Sequence, residues 1–480
     1  MDETWAAVSA AQPLLDALII VMRFDLHPPL YYLQLSVWGI FGTGDNWLFA
    51  NSILWSLFAI ASLYWTVCRL HSERIGITAA LFLLCLPFMA HYSIELRMYA
   101  MLAFLSVWVW YFNHVYPDRD DRWRTLLVVA GFETVMIYSH ALGPFMLAFF
   151  LLYGFVRLFD CPFERIWRWI IVQGVVCISC LPVLANSLLR GASAAYPVPD
   201  ATLFTDTLVF LIGLKPFTDA LGSAGAWVGG ALFIAFLGVA IYVKASRLFA
   251  LTIIIPALLL GIIVSYAVKP IWVDRVFIFM APFLSLVMAL LVWHLVKPEK
   301  VAIGVTIGLA ILLMISSVMT LSNATYPQNY RATAGYLSPQ LKPSDRVYVP
   351  EYCDYWGMVW YLRGSDWSPL QVQGSMPAGR WQAILDSMSI EWKKRLKLEP
   401  ETNALTHGEN LLIIGRSPLN TVVHDGRLWV IMDQGDMRHL HVLTELAELG
   451  FNEVSKEVVG GLRLHLFEPP SEPAALATAS

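Results

Sequence analysis

The chain has 480 residues, of which 58% are hydrophobic and only 14% are charged, and its mean hydropathy is +0.60. Soluble domains have about 45 to 50% apolar and about 25% charged residues, so this composition excludes an ordinary soluble protein and predicts several membrane spans. A formal net charge of -4, with no single basic patch, gives no reason to expect nucleic acid as a partner. The six cysteines are too few and too scattered for a disulfide framework.

The first 45 residues carry a hydrophobic segment that is too short to span a membrane. Residues 30 to 41 are apolar, but the segment ends after about twelve residues at the sequence GTGDN. A spanning helix needs about 17 to 25 residues. We therefore predict that residues 1–45 form an outer first loop with interfacial helices rather than a span.

Ten apolar segments long enough to cross the hydrocarbon layer follow between residues 46 and 322. They predict a transmembrane bundle of about ten helices. The segments lie at residues 46–68, 76–92, 97–116, 124–140, 142–158, 166–188, 224–243, 248–268, 276–296 and 300–321.

The positive charges of the loops predict the orientation of this bundle. The loops after the first, third, fifth, seventh and ninth spans carry twelve lysines and arginines, whereas the other loops carry five. Positively charged loops stay in the cytoplasm, so the second set of loops would face outward. Residues 1–45 would then also lie outside, and we expect one further helix upstream of Met1 to carry them there.

The composition changes after Ser322. Residues 323–480 alternate strand-like segments (DRVYVP, NLLIIGR, RLWVIMD, LRLHLFE) with helix-like ones (RATAGYLSPQL, RWQAILDSMSIEWKKRLKL, HVLTELAEL). This pattern predicts a soluble α/β domain on the extracytoplasmic side. The segment contains neither GxGxxG nor GxxxxGK[ST], so nothing indicates a nucleotide site.

The predicted topology gathers ionisable and aromatic side chains on the outer side. Such groups are costly beside hydrocarbon and tend to be paired or functional. Together they predict an outer cavity lined by acids and bases. The candidate residues are Asp2, Glu3, Asp25, His27, Glu95, Arg97, Tyr99, His140 and Arg275.

Several of these residues also have a purely structural interpretation. Arg97 and Arg275 begin spans, where cations often extend to lipid headgroups. Glu95, two residues from Arg97, would then be its counter-ion. His27, before two prolines, would only cap a helix, and the acids at the start of the chain would be a solvated terminus.

In combination, however, the motifs resemble a known superfamily. The acids DE at residues 2 and 3, DLHPPLYY from Asp25, YSIELRMYA from Tyr92, and DRVFIFMAPFLSLVMALL from Asp274 are similar to segments of the GT-C integral-membrane glycosyltransferases. The most similar branch contains protein mannosyltransferases and the aminoarabinose transferases that act on lipid A. The segment NYRATAGYLSPQLKPSDRVYV resembles the start of that branch's soluble domain.

The resemblance implies an enzyme of the cytoplasmic (plasma) membrane, a multi-pass GT-C-like protein with an extracytoplasmic C-terminal domain. Such enzymes move a sugar from a polyprenyl phosphate to a glycan, lipid or protein acceptor within the lipid bilayer's outer face. The reaction inverts the anomeric centre. A carboxylate activates the acceptor hydroxyl, and cations stabilise the departing phosphate.

The resemblance also implies roles for the candidate residues. Asp2 matches the first-loop acid and would be the catalytic base, with Glu3 as its substitute. Arg97 and Arg275 would bind the donor phosphate because arginine offers bidentate donors that stay charged, and His27 would approach the phosphate or the acceptor. The remaining candidates would orient substrates or, for Glu95, orient Arg97; these are Glu95, Asp25, Tyr99 and His140.

A metal site is a further alternative, because Glu95, His140, His27 and Asp25 could converge. These four residues have neither HxxxH nor DxD spacing, so we expect no required cofactor and no required divalent metal. Two other classes of protein share the predicted architecture. One is a transporter or flippase for lipid-linked sugars, although the sequence shows no clear inverted repeat. The other is a non-catalytic membrane scaffold, which gives no reason for clustered acids and arginines.

Overall fold

The computed structural model describes residues 2–118, 123–190, 198–268, 270–323, 328–362, 371–372, 405–407, 412–415, 419–422, 426–435 and 439–470. The chain divides into two compact units. One unit is helical and consists of Asp25–Gln34 and Gly44–Ala324. The other consists of Met1–Phe24, Leu35–Thr43 and Thr325–Ser480. The segment predicted as one outer loop, residues 1–45, is therefore divided between the two units.

The helical unit consists of apolar helices. They are α3 (Leu30–Gly39, whose second half belongs to the other unit), α4 (Asp45–Leu70), α5 (Glu73–Cys85), α6 (Pro87–Ser93), α7 (Tyr99–Val115), α8 (Arg124–Ser139), α9 (Gly143–Arg157), α10 (Phe163–Ser179), α11 (Leu181–Arg190), α12 (Ala201–Leu211), α13 (Lys215–Asp219), α14 (Ser223–Tyr242), α15 (Lys244–Phe249), α16 (Ile255–Ala267), α17 (Ala281–Leu295) and α18 (Glu299–Ser322). Two 3-10 helices lie at Tyr116–Asp118 and Asp274–Met280, and a π-helix lies at Ala250–Ile254.

Within the described residues, six helical segments are long and apolar enough to cross a membrane when directly consecutive helices are joined, or seven if α5 and α6, bent by 60°, also count as one span. The six are α4, α10 with α11, α14, α15 with α16, the 3-10 helix with α17, and α18. This number is smaller than the ten predicted segments. Helices α7, α8 and α9 coincide with three predicted spans. They have 17, 16 and 15 residues, which is shorter than the 18 residues required here of a spanning helix. They are short because the helices are interrupted beside polar residues.

These interruptions place polar side chains at helix ends. Pro87 has no N–H to continue the ladder, and α5 ends two residues before it. Residues 94–98 separate α6 from α7, residues 140–142 separate α8 from α9, and a 3-10 helix precedes α17. Arg97, His140 and Arg275 each lie at one of these breaks.

Aromatic packing fills the interior between the interrupted helices. The ring of Trp110 on α7 lies 5.5 Å from that of Phe249 and 5.8 Å from that of Phe283. Phe150 on α9 contacts Phe283 at 5.8 Å and Phe279 at 6.1 Å. Rings at such separations pack well and bury large areas, so α7, α9 and α17 are joined by one aromatic layer.

A buried polar cluster joins α7, α8 and α10. The side-chain amide of Asn113 donates to the Oε1 atom of Glu133 at 3.2 Å and accepts from the indole N–H of Trp169 at 3.1 Å. A Cβ at Gly154 on α9 would lie 2.7 Å from the Asn113 amide oxygen. The absence of a side chain at Gly154 therefore lets α9 approach this cluster.

The other unit combines helices with one seven-stranded sheet. Its helices are α1 (Asp2–Ala10), α2 (Leu14–Phe24), α19 (Tyr330–Leu337), α20 (Tyr352–Leu362), α21 (Leu419–Val422) and α22 (His441–Glu448). Its strands are β1 (Arg346–Val349), β2 (Gln371–Val372), β3 (Leu405–His407), β4 (Leu412–Gly415), β5 (Leu428–Asp433), β6 (Asn452–Val459) and β7 (Leu462–Glu468).

The strand order is β2-β3-β4-β1-β5-β7-β6, in which β1 runs parallel to β4 and β5 and the other neighbours are antiparallel. Tyr348, Val430 and Phe467 belong to its buried core together with Leu446 of α22. Asp345, just before β1, accepts two hydrogen bonds from the Arg427 guanidinium, at 3.0 and 2.6 Å. This pair ties the start of β1 to the start of β5.

The predicted fold class is confirmed: the protein is polytopic and α-helical, with a C-terminal α/β region. The four strand-like segments are β1, β4, β5 and β7, and two of the helix-like segments are α19 and α22. The third, residues 380–398, lies outside the described residues. Strand β6 was not predicted, because its residues are mostly exposed on both faces and show no alternation.

Candidate functional site

A tight turn before α3 brings two of the predicted residues together. The Oδ1 atom of Asp25 accepts a hydrogen bond from the backbone N–H of His27 at 2.7 Å, a turn that aspartate forms readily. Pro28 and Pro29 follow, and α3 begins at Leu30. Proline has a fixed φ, so the turn is stiff and places the Asp25 carboxylate at the start of α3.

The first turn of α3 supplies a partner for this carboxylate. The hydroxyl of Tyr32 donates to the Oδ2 atom of Asp25 at 2.5 Å. Asp25 is only 9% exposed and Tyr32 is fully buried. Both carboxylate oxygens of Asp25 thus accept a hydrogen bond, as expected for a buried polar group.

Arg97 lies in the non-helical turn between α6 and α7. Its backbone N–H donates to the carbonyl oxygen of Glu95 at 2.8 Å, and Ser52 of α4 donates to the same oxygen at 2.6 Å. The side chain is 5% exposed, and its Nη1 atom donates to the Tyr32 hydroxyl at 2.9 Å. The structure therefore links Arg97 to Asp25 through Tyr32.

The imidazoles of His27 and His140 lie against each other, with ring centroids 4.5 Å apart. The Nδ1 atom of His27 accepts from the backbone N–H of Ala141 at 3.2 Å, and that of His140 accepts from Leu142 at 2.9 Å. In a neutral imidazole, a nitrogen that accepts a hydrogen bond leaves the proton on the other nitrogen. Both neutral rings would thus carry their proton on Nε2.

Arg275 is the second residue of the 3-10 helix before α17, and its backbone is held by the side chain of Asp274. The backbone N–H of Arg275 donates to the Oδ1 atom of Asp274 at 2.8 Å, and the hydroxyl of Tyr92 donates to the same atom, also at 2.8 Å. Arg97 and Arg275 both lie close enough to His140 for their charges to act on it. The two arginines and the histidine pair therefore lie in one region, together with the carboxylates of Asp25 and Asp274.

Tyr99 joins this region through its ring. Its centroid lies 5.0 Å from that of Tyr92 and 6.2 Å from that of His140, and the residue is 1% exposed. The Tyr99 ring therefore lies between Tyr92, which binds Asp274, and His140.

Glu95 lies two residues before Arg97 in the same turn, and its predicted role stays a prediction. Among the described residues its carboxylate contacts His91, whose Nε2 atom lies 3.3 Å from Oε1. Glu95 reaches Arg97 through its backbone carbonyl rather than through its carboxylate. About a fifth of its side chain is exposed, so the carboxylate remains accessible to a substrate hydroxyl.

Asp2 and Glu3 belong to the other compact unit. Both lie in the first turn of α1, and Glu3 is partly exposed, whereas the side chain of Asp2 lies outside the described part of the structure. Within that unit α1 packs on α20, where the rings of Trp5 and Trp356 are 4.6 Å apart. The catalytic roles of Asp2 and Glu3 remain predictions.

The comparisons with known proteins agree with this architecture. ArnT from Cupriavidus metallidurans in the apo state is 12% identical; the alignment covers 96% of this chain and 93% of that chain, with a TM-score of 0.57. ArnT from the same organism bound to undecaprenyl phosphate is 13% identical, with 96% of each chain covered and a TM-score of 0.53. A family model described as dolichyl-phosphate-mannose-protein mannosyltransferase matches residues 26–186. No curated protein matches the chain in sequence.

The chain has the GT-C fold. The resemblance predicted from the sequence motifs is thereby confirmed, and with it the multi-pass membrane character of the chain. The residues matched by the family model include His27, Glu95, Arg97, Tyr99 and His140. Asp2, Glu3, Asp25 and Arg275 lie outside the matched residues.

In the part of the chain that the structure describes, no group of three or more His, Cys, Asp or Glu side chains could hold a metal ion. The four residues considered as a converging set make other contacts. Asp25 accepts from Tyr32 and His27, and His140 accepts from the backbone.

Two residues of the site were not predicted as functional. Tyr32 and Tyr92 were each quoted only as part of a motif. Their partners lie 7 and 182 residues away. The spacing between Asp25 and Tyr32 was a usable signal, because a turn followed directly by a helix brings such a pair together. No sequence pattern indicates the pairing of Tyr92 with Asp274.

Proposed function

We propose that this GT-C protein is an inverting glycosyltransferase, which moves a sugar from a polyprenyl-phosphate donor to a glycan, lipid or protein acceptor. The observation that carries the proposal is that two arginines, Arg97 and Arg275, lie near the paired imidazoles of His27 and His140. A buried guanidinium fixed by hydrogen bonds is costly unless it serves an anion or a structural pair. The Arg97 guanidinium is such a buried group, and its Nη1 atom donates to the Tyr32 hydroxyl.

The relatives support a polyprenyl phosphate as that anion. The ArnT structure was solved with undecaprenyl phosphate, and the matching family model is described by a dolichyl-phosphate sugar. Both ligands are polyprenyl phosphates with a long apolar tail. A multi-pass helical protein gives such a tail a place in the bilayer while the phosphate meets the arginines.

The chemistry required of these residues is stabilisation of a leaving group. When the bond between C1 of the sugar and the phosphate oxygen breaks, negative charge grows on the phosphate. Arg97 and Arg275 offer charged donors to that oxygen, and the Nε2–H groups of His27 and His140 add neutral ones. The sugar passes through an oxocarbenium-like transition state and is attacked on the opposite face, which inverts C1.

Asp2 is proposed as the base that takes the proton of the acceptor hydroxyl, with Glu3 as the residue that would replace it. A positioned general base contributes about 10²- to 10⁴-fold to such a step. Glu95, Asp25, Tyr99 and His140 would orient the substrates or the arginines. We further propose that the cations of the chain meet the phosphate charge without a required metal, so that transfer survives dialysis against a chelator.

The proposal places the reaction at the outer face of the cytoplasmic membrane, with the C-terminal domain extracytoplasmic. The support is the excess of lysine and arginine in alternate loops. Reporter fusions after Ser480 and near Arg122 should report opposite sides. Two fusions that both report the cytoplasm would overturn this topology.

Transfer can be tested with a panel of labelled donors. Membranes containing the protein are incubated with polyprenyl phosphates that carry mannose, aminoarabinose or another sugar, and the label in acceptor and lipid fractions is followed. The wild type should transfer label from at least one donor. Arg97→Ala should lose transfer by about 10²-fold or more, because a charged hydrogen bond to the leaving group is removed.

The control is Arg247→Ala, since the Arg247 guanidinium donates to the backbone oxygens of Ile241 and Tyr242 away from the site. This variant should transfer at the wild-type rate. If sealed vesicles move labelled donor across the bilayer while no acceptor is labelled, the protein is a flippase. If Arg97→Ala keeps both the transfer activity and the movement of donor across the bilayer at wild-type rates, neither function can be assigned to this site.

A further inference from the structure

Arg97 and Asp25 are joined by a hydrogen-bonded chain whose direction is fixed. A guanidinium only donates, so the Tyr32 oxygen accepts from Nη1 of Arg97 at 2.9 Å. The single proton of the phenol must then point to the Oδ2 atom of Asp25, 2.5 Å away. The negative charge of Asp25 thus acts on Arg97 through an intervening hydroxyl.

All three side chains are withdrawn from solvent. Arg97 is 5%, Asp25 9% and Tyr32 0% exposed. Water does not compete for these hydrogen bonds, and the low local dielectric strengthens each of them. Asp25 is itself fixed by the turn to the His27 N–H, so the chain begins at a rigid point.

The hydroxyl between the two charges has a consequence for binding. A direct pair between a carboxylate and a guanidinium is commonly bidentate and occupies two of the five N–H donors. The Tyr32 hydroxyl occupies one and carries no charge. Arg97 is oriented by this arrangement while its positive charge is not cancelled by direct contact with Asp25.

The backbone of Arg97 is restrained independently. Ser52 of α4 donates to the Glu95 carbonyl at 2.6 Å, and the Arg97 N–H donates to the same oxygen at 2.8 Å. The backbone is thus positioned by α4, and the side chain is positioned by α3. Removing the Tyr32 hydroxyl changes only the second restraint.

We infer that Tyr32, held by Asp25, is the positioning residue that aims the Arg97 guanidinium at the donor phosphate. This inference rests on the proposed function. It makes Asp25 the end of a positioning chain rather than a residue that touches substrate. The site would then depend on the Tyr32 hydroxyl and its two hydrogen bonds, and not merely on a buried aromatic ring at this position.

The test compares two adjacent tyrosines. Tyr32→Phe removes the hydroxyl that accepts from Arg97, and Tyr31→Phe removes the neighbouring hydroxyl from an equally buried ring. Affinity for unsugared polyprenyl phosphate is measured by competition with a labelled donor, together with the donor KM and kcat. Tyr32→Phe should weaken phosphate affinity by about 10- to 100-fold, whereas Tyr31→Phe should change it by less than about twofold.

Asp25→Asn provides a second variant, because the asparagine oxygen can still accept from the Tyr32 hydroxyl. It should lose less affinity than Tyr32→Phe, and the double variant should be no weaker than Tyr32→Phe alone. Melting temperatures identify variants that fail to fold. If Tyr32→Phe does not fold, the Asp25→Asn affinity decides the matter: a value equal to wild type overturns the inference, and a loss supports it.

The arms also separate this inference from the proposed function. If Arg97→Ala leaves phosphate affinity unchanged, the phosphate site itself is wrong. If Arg97→Ala loses affinity but Tyr32→Phe keeps it, only the positioning role is wrong. Equal losses in Tyr31→Phe and Tyr32→Phe would show a general packing effect and would also overturn the inference.

Discussion

The hydroxyl of Tyr92 on α6 donates to the Oδ1 atom of Asp274 at 2.8 Å, although the two residues are 182 positions apart in the sequence. The same oxygen accepts from the backbone N–H of Arg275. One carboxylate oxygen therefore joins α6 to the segment that carries the second arginine of the site.

We therefore expect Tyr92→Phe to change the position of Arg275 while it leaves the fold largely intact. The variant should raise the donor KM by about fivefold to tenfold, since one hydrogen bond to a charged group is lost, while the melting temperature falls by a few degrees at most. Tyr138→Phe is the matched control, because the Tyr138 hydroxyl donates to the backbone oxygen of Ser179. It should lower the melting temperature similarly and leave the KM unchanged. Equal KM values in the two variants would contradict the expectation.

The buried cluster of Asn113, Glu133 and Trp169 should contribute to stability rather than to catalysis. Asn113→Leu leaves the Glu133 Oε1 atom and the Trp169 N–H without this partner, and a buried polar group that loses its partner costs about 1 to 3 kcal/mol. We expect a clearly lower melting temperature of the purified protein in detergent. Glu133→Gln should hardly change the melting temperature, because the amide oxygen of the glutamine can still accept the hydrogen bond from Asn113.

Ser106→Ala is the control for this cluster. Ser106 is also buried on α7, but its hydroxyl donates to the Ala103 carbonyl one turn away in the same helix. Its loss should lower the melting temperature much less than that of Asn113→Leu. Transfer activity, measured well below the melting temperature, should be the same in all of these variants, and a selective loss of activity in Glu133→Gln would assign the cluster another role.

The sequence was sufficient for the apolar segments and for most of the sheet. The apolar segments at residues 46–68 and 300–321 are helices Asp45–Leu70 and Glu299–Ser322. Such spans can be recognised from sequence because a helix that crosses the hydrocarbon layer needs about 20 consecutive apolar residues. The segment RLWVIMD is β5 because a run of β-branched and aromatic residues suits a buried strand.

The sequence was not sufficient for the bends and the pairings at the site. The predicted segments 76–92 and 97–116 leave a break between α6 and α7, but they miss the 60° bend between α5 and α6. Arg97 is bound to Tyr32, which lies 65 residues before it. Such contacts depend on how helices pack, and a single sequence carries no local signal for them.

The stability of the unit that contains the sheet should depend on pH through Asp354. This side chain on α20 is fully buried, and its Oδ2 atom has no hydrogen-bond partner among the described residues. Burial raises the pKa of Asp354 from 3.8 to about 6; the hydrogen bond from Tyr330 opposes this effect, and the charges of Asp433 and Glu351 add to it.

Because the folded-state pKa of Asp354 lies above the unfolded one, protonation favours the folded state. The contribution is complete below about pH 4 and is lost as the pH rises through about 6, which corresponds to about 3 kcal/mol. The melting temperature of the wild type should thus fall between pH 5 and pH 8, and Asp354→Asn should reduce this fall.

Asp345, in the same unit, has a pKa that is shifted in the opposite direction. Burial alone would raise the pKa of Asp345, but hydrogen bonds from Arg427 and from the Lys342 N–H lower it overall. Asp345→Asn should therefore lower the melting temperature at every pH between 5 and 8 without changing its slope. A slope that is the same in wild type and Asp354→Asn would contradict the assignment of the pH dependence to Asp354.

The two acids at the start of α1 differ in the role proposed for them, and kinetics can separate them. If Asp2 takes the acceptor proton, Asp2→Asn should lower kcat by about 10²- to 10⁴-fold with little change in the donor KM, because the base acts only in the transition state. Glu3→Gln should keep most of the activity. Arg97→Ala should instead raise the donor KM as well, because the phosphate is bound in the ground state too.

Asp2→Glu is the informative companion, since it keeps a carboxylate and moves it by one methylene. Partial activity in this variant, with none in Asp2→Asn, would indicate that a base is needed and that its position matters. Full activity of Asp2→Asn together with inactivity of Glu3→Gln would transfer the role to Glu3. Full activity of both single variants and of the double variant would remove α1 from the chemistry, and the acceptor would have to be activated by another carboxylate, for which the partly exposed Glu95 is the first to test.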